Sequence, residues 1–388
     1  MIAIGLMSGT SLDGISAAVV RVAPRGDGYD LELLRFHTFP YGEDLGRALR
    51  AVLPPNDGSV GMVAALHQGL GRAYADAAAG IAAAAGERID YVASHGQTIW
   101  HDGPRHVTLQ VGDAFAIRQA IGASVCYDFR SADCAAGGQG APLIPYVDAL
   151  LLADAREDRV ALNLGGIANL TLLRRGATHD DLIAFDTGPG NMLVDAFVRE
   201  RTHGRASYDA GGSLAAAGTV DEEMLSAMLA DDYFAQSPPK TTGRERFGAH
   251  FLTRYQERLG RMSVEDGAST LTELTAASVA DAIVASGFDG ARVIASGGGA
   301  RNATMLARIA ARLPEARVEL SDTMGIPVDA KEAMGFAVLG YETLRGRAAN
   351  VPSATGAQRA MPLGAIAPWK LDELLNGIRR ECQTSASP

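Results

Sequence analysis

The chain has 388 residues, enough for two domains, and its 47% hydrophobic and 21% charged residues are globular rather than disordered proportions. With 35 basic against 45 acidic side chains, the net charge is −10, which argues against nucleic acid or anionic membrane surfaces as partners.

In chain order, residues 2–6 read as a strand, followed by a Gly/Ser/Thr turn and a second β-rich run over 15–22. A third strand covers 31–38. Helices are predicted over 44–52 and 60–85, a buried strand over 91–94, and a helix from Asp113, its cap, to residue 121. Residues 160–173 repeat the opening design, with a strand over 161–164, a tight turn at Gly165-Gly166 and a returning strand over 170–173. A strand over 182–185 then delivers Asp186-Thr187-Gly188-Pro189-Gly190 into a turn and a helix starting near Asn191. Residues 292–295 deliver Ser296-Gly297-Gly298-Gly299 in the same way, before a helix over 304–313. A last helix is expected over 330–345, and the Pro/Gly/Ser/Ala-rich stretch 347–368 reads as a loop crossing a surface. The pattern predicts two α/β domains facing each other across a cleft, with the break between about 123 and 145.

The three lysines, Lys240, Lys331 and Lys370, fit no G-x-x-x-x-G-K-[ST] pattern, so a P-loop is excluded. Cys126, Cys134 and Cys382 lack metal spacing and suit a reducing compartment. The first residues lack a signal-peptide pattern, and no apolar run reaches a membrane span. A soluble, cytoplasmic protein is expected, with no membrane partner.

The glycine turns are the candidate chemistry. In Gly9-Thr10-Ser11-Leu12-Asp13-Gly14, backbone N–H groups and hydroxyls can donate to an anion, and Asp13 is suited to Mg²⁺ or a metal-bound water. A decorated hairpin turn is the plainer reading. Gly165, Gly166 and Asn169 form the matching turn, which gains weight because two such turns can clasp a polyphosphate. Gly297, Gly298, Gly299 and Asn302 let a sugar-phosphate lie on the backbone, although glycines in such loops also serve packing. Asp186 at a strand end suits a general base, with Asn191 the better helix cap. His95, within Ser94-His95-Gly96-Gln97-Thr98, can orient a hydroxyl or a water. His95, His101 and His106 match no zinc pattern. Arg130 and Glu332 read as salt-bridge or cap residues on sequence alone.

Taken in order, Gly9–Gly14, Ser94–Thr98, Asp128-Phe129-Arg130 with Gly137-Gly138-Gln139-Gly140-Ala141-Pro142, Asn163–Asn169, Phe185–Asn191, Pro239-Lys240-Thr241-Thr242-Gly243-Arg244-Glu245 and Ser296–Asn302 resemble the anhydro-N-acetylmuramic acid kinase family. The resemblance runs from residue 5 to about 366. It implies two related actin-like (ribonuclease H-like) domains with an ATP and sugar cleft between them. The first would span 1–128, the second 129–359, with the tail from about 360 to 388 packing back on the first. It implies ATP, Mg²⁺, a homodimer and a double reaction. ATP and water open the 1,6-anhydro bridge and phosphorylate O6, giving N-acetylmuramic acid 6-phosphate and ADP in peptidoglycan recycling.

Asp186 is then the base. Gly9, Thr10, Ser11, Leu12, Asp13, Gly14, Ile15 and Ser16 form the phosphate loop, Gly188 joins the second loop, and His95, Gln97, Arg130 and Glu332 contact the sugar. Many relatives have Asp at position 16. An arginine suits the lactyl carboxylate, which points to Arg130. The rivals are a levoglucosan or hexose 6-kinase, and an actin- or chaperone-type ATPase without a sugar substrate. A sugar-responsive repressor would need a helix-turn-helix, for which the pattern leaves no place.

Overall fold

The structure is a computed structural model that describes residues 1–9, 12, 14–25, 28–54, 56, 58–178 and 182–385. The first strands are β1 (Ile2–Ser8), β2 (Gly14–Arg25), β3 (Gly28–Pro40), β4 (Tyr91–Asp102), β5 (Val107–Val111) and β6 (Ser124–Tyr127). They are followed by β7 (Arg159–Leu164), β8 (Ile167–Leu173), β9 (Ile183–Pro189), β10 (Arg292–Ser296), β11 (Arg317–Leu320) and β12 (Ala365–Ala367). They form two sheets, ordered β12-β6-β4-β1-β2-β3, with β5 paired to β4, and β11-β10-β7-β8-β9.

The two sheets share one plan. In the first, β1–β2 and β2–β3 pair antiparallel while β1–β4 and β4–β6 pair parallel. In the second, β7–β8 and β8–β9 are antiparallel while β7–β10 and β10–β11 are parallel. The repeat expected for one hairpin therefore extends to a whole five-stranded unit.

The chain divides into two compact units, Met1–Leu151 with Ala330–Pro388, and Leu152–Asp329. In the first, alternation along β1 decides the layers. Ile2, Ile4 and Leu6 join a core with Leu66, Leu70, Tyr74 and Ile81 of the Val60–Ala85 helix. Gly5 instead backs onto the Lys331–Arg345 helix so closely that a Cβ would lie 1.8 Å from the Ala333 carbonyl oxygen. The Val60–Ala85 helix starts at Ser59, whose Oγ accepts from the Met62 N–H at 3.2 Å, and stops at Gly86 with φ 68°. In the second unit, the Val264–Ala285 and Ala303–Arg312 helices pack on β7, β8 and β10. A further cluster gathers Phe197, Phe247, Phe251 and Leu271.

The observed division corrects the expected boundaries at 128 and 359. Residues 129–151 stay with the first unit because Asp133 is hydrogen-bonded to Asn350 and Thr355, and because buried Asp148 pairs with buried Lys331 at 2.6 Å. The chain returns to that unit at Ala330, not near 360. The last helix is Leu371–Ser385, beyond the expected one, and residues 365–367 of the expected loop form β12 against β6. Neither Ser94–Thr98 nor Asp186–Pro189 follows a strand. Both lie within one, because β5 extends pairing along β4 from Gln97 and β8 pairs with β9 as far as Pro189. Among the described residues no helix is long and apolar enough to cross a membrane.

Candidate active site

The first glycine turn joins β1 to β2. Thr10, Ser11 and Asp13 lie outside the described residues. The described flanks are tied down by a polar chain. Ser8 Oγ donates to the Gly14 carbonyl at 2.8 Å and meets the Tyr41 hydroxyl at 2.5 Å. Tyr41 donates to Gln97 Oε1 at 3.0 Å, and Gln97 Nε2 donates to the Gly9 carbonyl at 3.3 Å and the Thr98 carbonyl at 3.2 Å. Gln97, expected at the sugar, links Tyr41 to the Gly9 carbonyl and so ties down the turn. Leu12 has a φ of 59°, and a Cβ on Gly14 would lie 2.3 Å from the Phe39 carbonyl oxygen. Ile15 is buried in the core, and the Ser16 hydroxyl bonds Thr38 at 3.1 Å, so these side chains belong to the sheet rather than the turn.

The same unit brings His95, Arg130 and Glu332 together. Arg130 Nε donates to His95 Nε2 at 2.9 Å, and its Nη1 donates to the Gly140 carbonyl at 2.7 Å. Since Nε2 accepts, the other ring nitrogen carries the proton, and Nδ1–H donates to the Gly96 carbonyl at 2.7 Å. Burial first, and the Arg130 charge second, push the His95 pKa down to about 3. His95 is therefore a neutral acceptor that orients an arginine. It is not a proton shuttle. Burial also lowers the Arg130 pKa, opposed chiefly by the Glu332 charge. Arg130 donates no hydrogen bond to a carboxylate among the described residues, and the nearby Glu332 charge favours its charged form.

In the second unit Asp186 is half-buried on β9, flanked by buried Phe185 and Thr187. The Thr242 N–H donates to its Oδ2 at 2.9 Å, its own N–H donates to the Lys240 carbonyl at 3.1 Å, and the Tyr233 hydroxyl donates to its carbonyl at 2.7 Å. The Lys240 ammonium donates to the Tyr233 and Phe234 carbonyls at 3.2 and 3.4 Å. Asn191 does occupy the N-cap position of the Met192–Arg201 helix, but its side chain makes no capping bond. Asn169 is the register partner of Asp186 across β8–β9, so the two share a face of that sheet.

The second turn is held by the chain after Asp186. The Gly190 N–H donates to Gly166 and the Asn191 N–H to Gly165, at 2.8 and 2.9 Å. A Cβ at 190 would lie 2.1 Å from the Gly165 carbonyl oxygen, and one at 188 would lie 2.7 Å from Phe234. In the third loop the three glycines differ. A Cβ on Gly297 would meet Asn163 Oδ1 at 2.5 Å, and one on Gly299 would meet the Leu164 carbonyl oxygen at 2.8 Å. Around Gly298 nothing lies within 4 Å. Two of these glycines serve packing, and one presents open backbone. Asn302 is spent on a cap, its Oδ1 accepting from the Met305 N–H at 2.9 Å.

Sequence reasoning missed Tyr41, Asp133 and Tyr233, whose partners are remote in the chain. Thr242, within the Pro239–Glu245 motif, acts through its main-chain N–H, which the side-chain pattern does not reveal. Among the described residues no group of three or more His, Cys, Asp and Glu side chains is placed to hold a metal ion.

A five-stranded unit present twice, each copy with a glycine turn after its first strand, is the architecture of two related actin-like (ribonuclease H-like) domains. Residues 1–369 match the anhydro-N-acetylmuramic acid kinase family, and the chain belongs to it. It is 40% identical over 380 residues to the protein of that name from Caldanaerobacter subterraneus subsp. tengcongensis, covering 94% of this chain and 96% of the relative. It is 43% identical to that of Gloeobacter violaceus, with 95% and 98% covered. Against that of Xanthomonas axonopodis pv. citri identity is 45%, with 94% and 97% covered.

Proposed function

We propose that the protein uses ATP and water to open the 1,6-anhydro bridge of anhydro-N-acetylmuramic acid and phosphorylate O6, yielding N-acetylmuramic acid 6-phosphate and ADP. Beyond family membership, the supporting observation is a carboxylate, Asp186, held half-buried within β9 with Oδ2 fixed by the Thr242 N–H. Asp186 takes a proton from water as the water oxygen bonds to C1. The C1–O6 bond breaks, O6 bonds to the γ-phosphorus, and ADP leaves. An inverting glycosidase needs a second carboxyl to protonate its leaving oxygen. Here the phosphoryl group captures that oxygen, so one base suffices.

The glycine turns supply backbone N–H groups to the ATP phosphates, with Gly298 the open position of the third loop. Arg130 receives the lactyl carboxylate on the guanidinium that His95 and Gly140 orient. Asp13 would contact, through water, a magnesium ion carried on the ATP phosphates, which would offset their negative charge. The protein works in the cytoplasm as a homodimer, recycling peptidoglycan fragments.

The test is mass spectrometry of the product formed with Mg-ATP in ¹⁸O-water. One phosphate and one ¹⁸O at C1 are expected. Asp186→Asn keeps an acceptor for Thr242 and lowers kcat about 10²- to 10⁴-fold. A phosphorylated sugar with its bridge intact would overturn the role of Asp186, and ADP with unchanged sugar would overturn the substrate.

A further inference from the structure

We propose that residues 350–358, acting through Asp133 and Gly140, position Arg130 and so set the enzyme's preference for an anhydrosugar bearing a carboxylate. The inference rests on the reading of Arg130 given above and concerns residues that touch no substrate.

Asp133 is fully buried, yet every contact is an ordered donor. Its Oδ1 accepts from Asn350 Nδ2 and from Thr355 Oγ1, both at 2.8 Å, and its Oδ2 accepts from the Gly140 N–H at 2.8 Å. Gly140 is thereby gripped on both sides, its N–H by Asp133 and its carbonyl by Arg130 Nη1 at 2.7 Å. The carboxylate also fills the space over Gly138, where a Cβ would lie 2.2 Å from Oδ2. Main-chain bonds lace the same segments, from the Gln139 N–H to the Thr355 carbonyl at 2.8 Å and from the Gln358 N–H to the Ala136 carbonyl at 2.9 Å.

The physical consequence follows from stiffness. A guanidinium binds a carboxylate well only when its fork is aimed, and an unaimed arginine side chain must be ordered at the moment of binding. Arg130 has two supports, His95 on Nε and Gly140 on Nη1, and neither neutralises its charge. The Gly140 support is only as firm as Asp133, and Asp133 is held by two side chains more than 200 residues away in sequence. The 350–358 segment is therefore a remote splint for an anion-binding side chain. Asp133, Asn350 and Thr355 are positioning residues, since each acts through Gly140.

The experiment uses the full chain and initial rates with anhydro-N-acetylmuramic acid. Thr355→Val removes one donor to Asp133 at nearly constant volume. The expected result is a rise of about tenfold in KM for the sugar, the worth of one hydrogen bond to a charged group, with KM for ATP unchanged and Thr355→Ser restoring the wild-type value. Asn350→Ala is expected to move the sugar KM in the same direction and serves where the valine variant does not fold.

The decisive arm repeats Thr355→Val in an Arg130→Met background, reading kcat/KM for the sugar. There it is expected to have no further effect, because the side chain it positions is gone. Equal penalties in both backgrounds would show a merely structural role and overturn the inference. A Thr355→Val enzyme with unchanged sugar KM, alongside an Arg130→Met enzyme that has lost sugar affinity, would overturn the inference and leave the Arg130 reading standing. Unchanged sugar KM in Arg130→Met would remove both.

Discussion

His95 makes the stability of the first unit depend on pH in a way that can be calculated. In the unfolded chain its imidazole titrates near 6.5, and in the fold burial and Arg130 lower it to about 3. Between those values the unfolded chain binds a proton that the folded chain refuses, so acid favours unfolding. The stabilisation is complete above pH 6.5 and falls by about 1.4 kcal/mol per pH unit as pH drops toward 3. Moving from pH 7 to pH 5 therefore costs about 2 kcal/mol through this one group. His95→Gln places a carbonyl oxygen where it can accept from Arg130 Nε and removes the titration. The variant loses the ring contact with Phe336, whose centroid lies 4.8 Å away, and is less stable at pH 7.

The informative quantity is the pH dependence of that difference. It should shrink by about 2 kcal/mol between pH 7 and pH 5. Urea unfolding followed by tryptophan fluorescence suits the measurement, because both tryptophans, Trp100 and Trp369, lie in the unit that carries His95. Parallel stability curves for wild type and His95→Gln would refute the reasoning, since they would mean that the folded imidazole titrates as it does in the unfolded chain.

Two further outcomes follow from the glycine turns. Gly298→Ala should fold like the wild type, because apart from the adjoining chain no atom stands within 4 Å of the new methyl group, and any change should fall on KM for ATP. Gly297→Ala combines a φ of 85° with a methyl group 2.5 Å from Asn163 Oδ1, so it should lower the unfolding free energy of the second unit by about 2 kcal/mol or more. Calorimetry that ranked the two variants the other way would contradict the close approaches described. Tyr41→Phe removes the hydroxyl between Ser8 and Gln97 and should raise KM for ATP severalfold with little change for the sugar, the loss of a hydrogen bond being worth about 1 kcal/mol. An ATP KM equal to that of the wild type would show that the turn does not need this clamp.

Periodicity and turn chemistry determined much of this protein by themselves. Apolar runs bounded by glycine marked β1, β2, β7 and β8, and Ser59 with Gly86 marks the ends of the long helix, because caps and alternation are local effects. The likeness of the two hairpins announced the duplication, and Asp186 stood out as a carboxylate beside a Gly-Pro-Gly turn. Tertiary structure decided the rest, since the deciding partners are distant along the chain. Nothing local distinguishes Gly298, which is open, from Gly297 and Gly299, which β7 crowds. Nothing local assigns Asn302 to a helix cap or Gln97 to the Gly9 carbonyl. The stretch 347–368 looks like a surface loop because its composition is that of loops. Its function as a splint exists only where folding carries Asn350 and Thr355 to a buried carboxylate at residue 133, for a buried charge must find its donors wherever the chain can supply them.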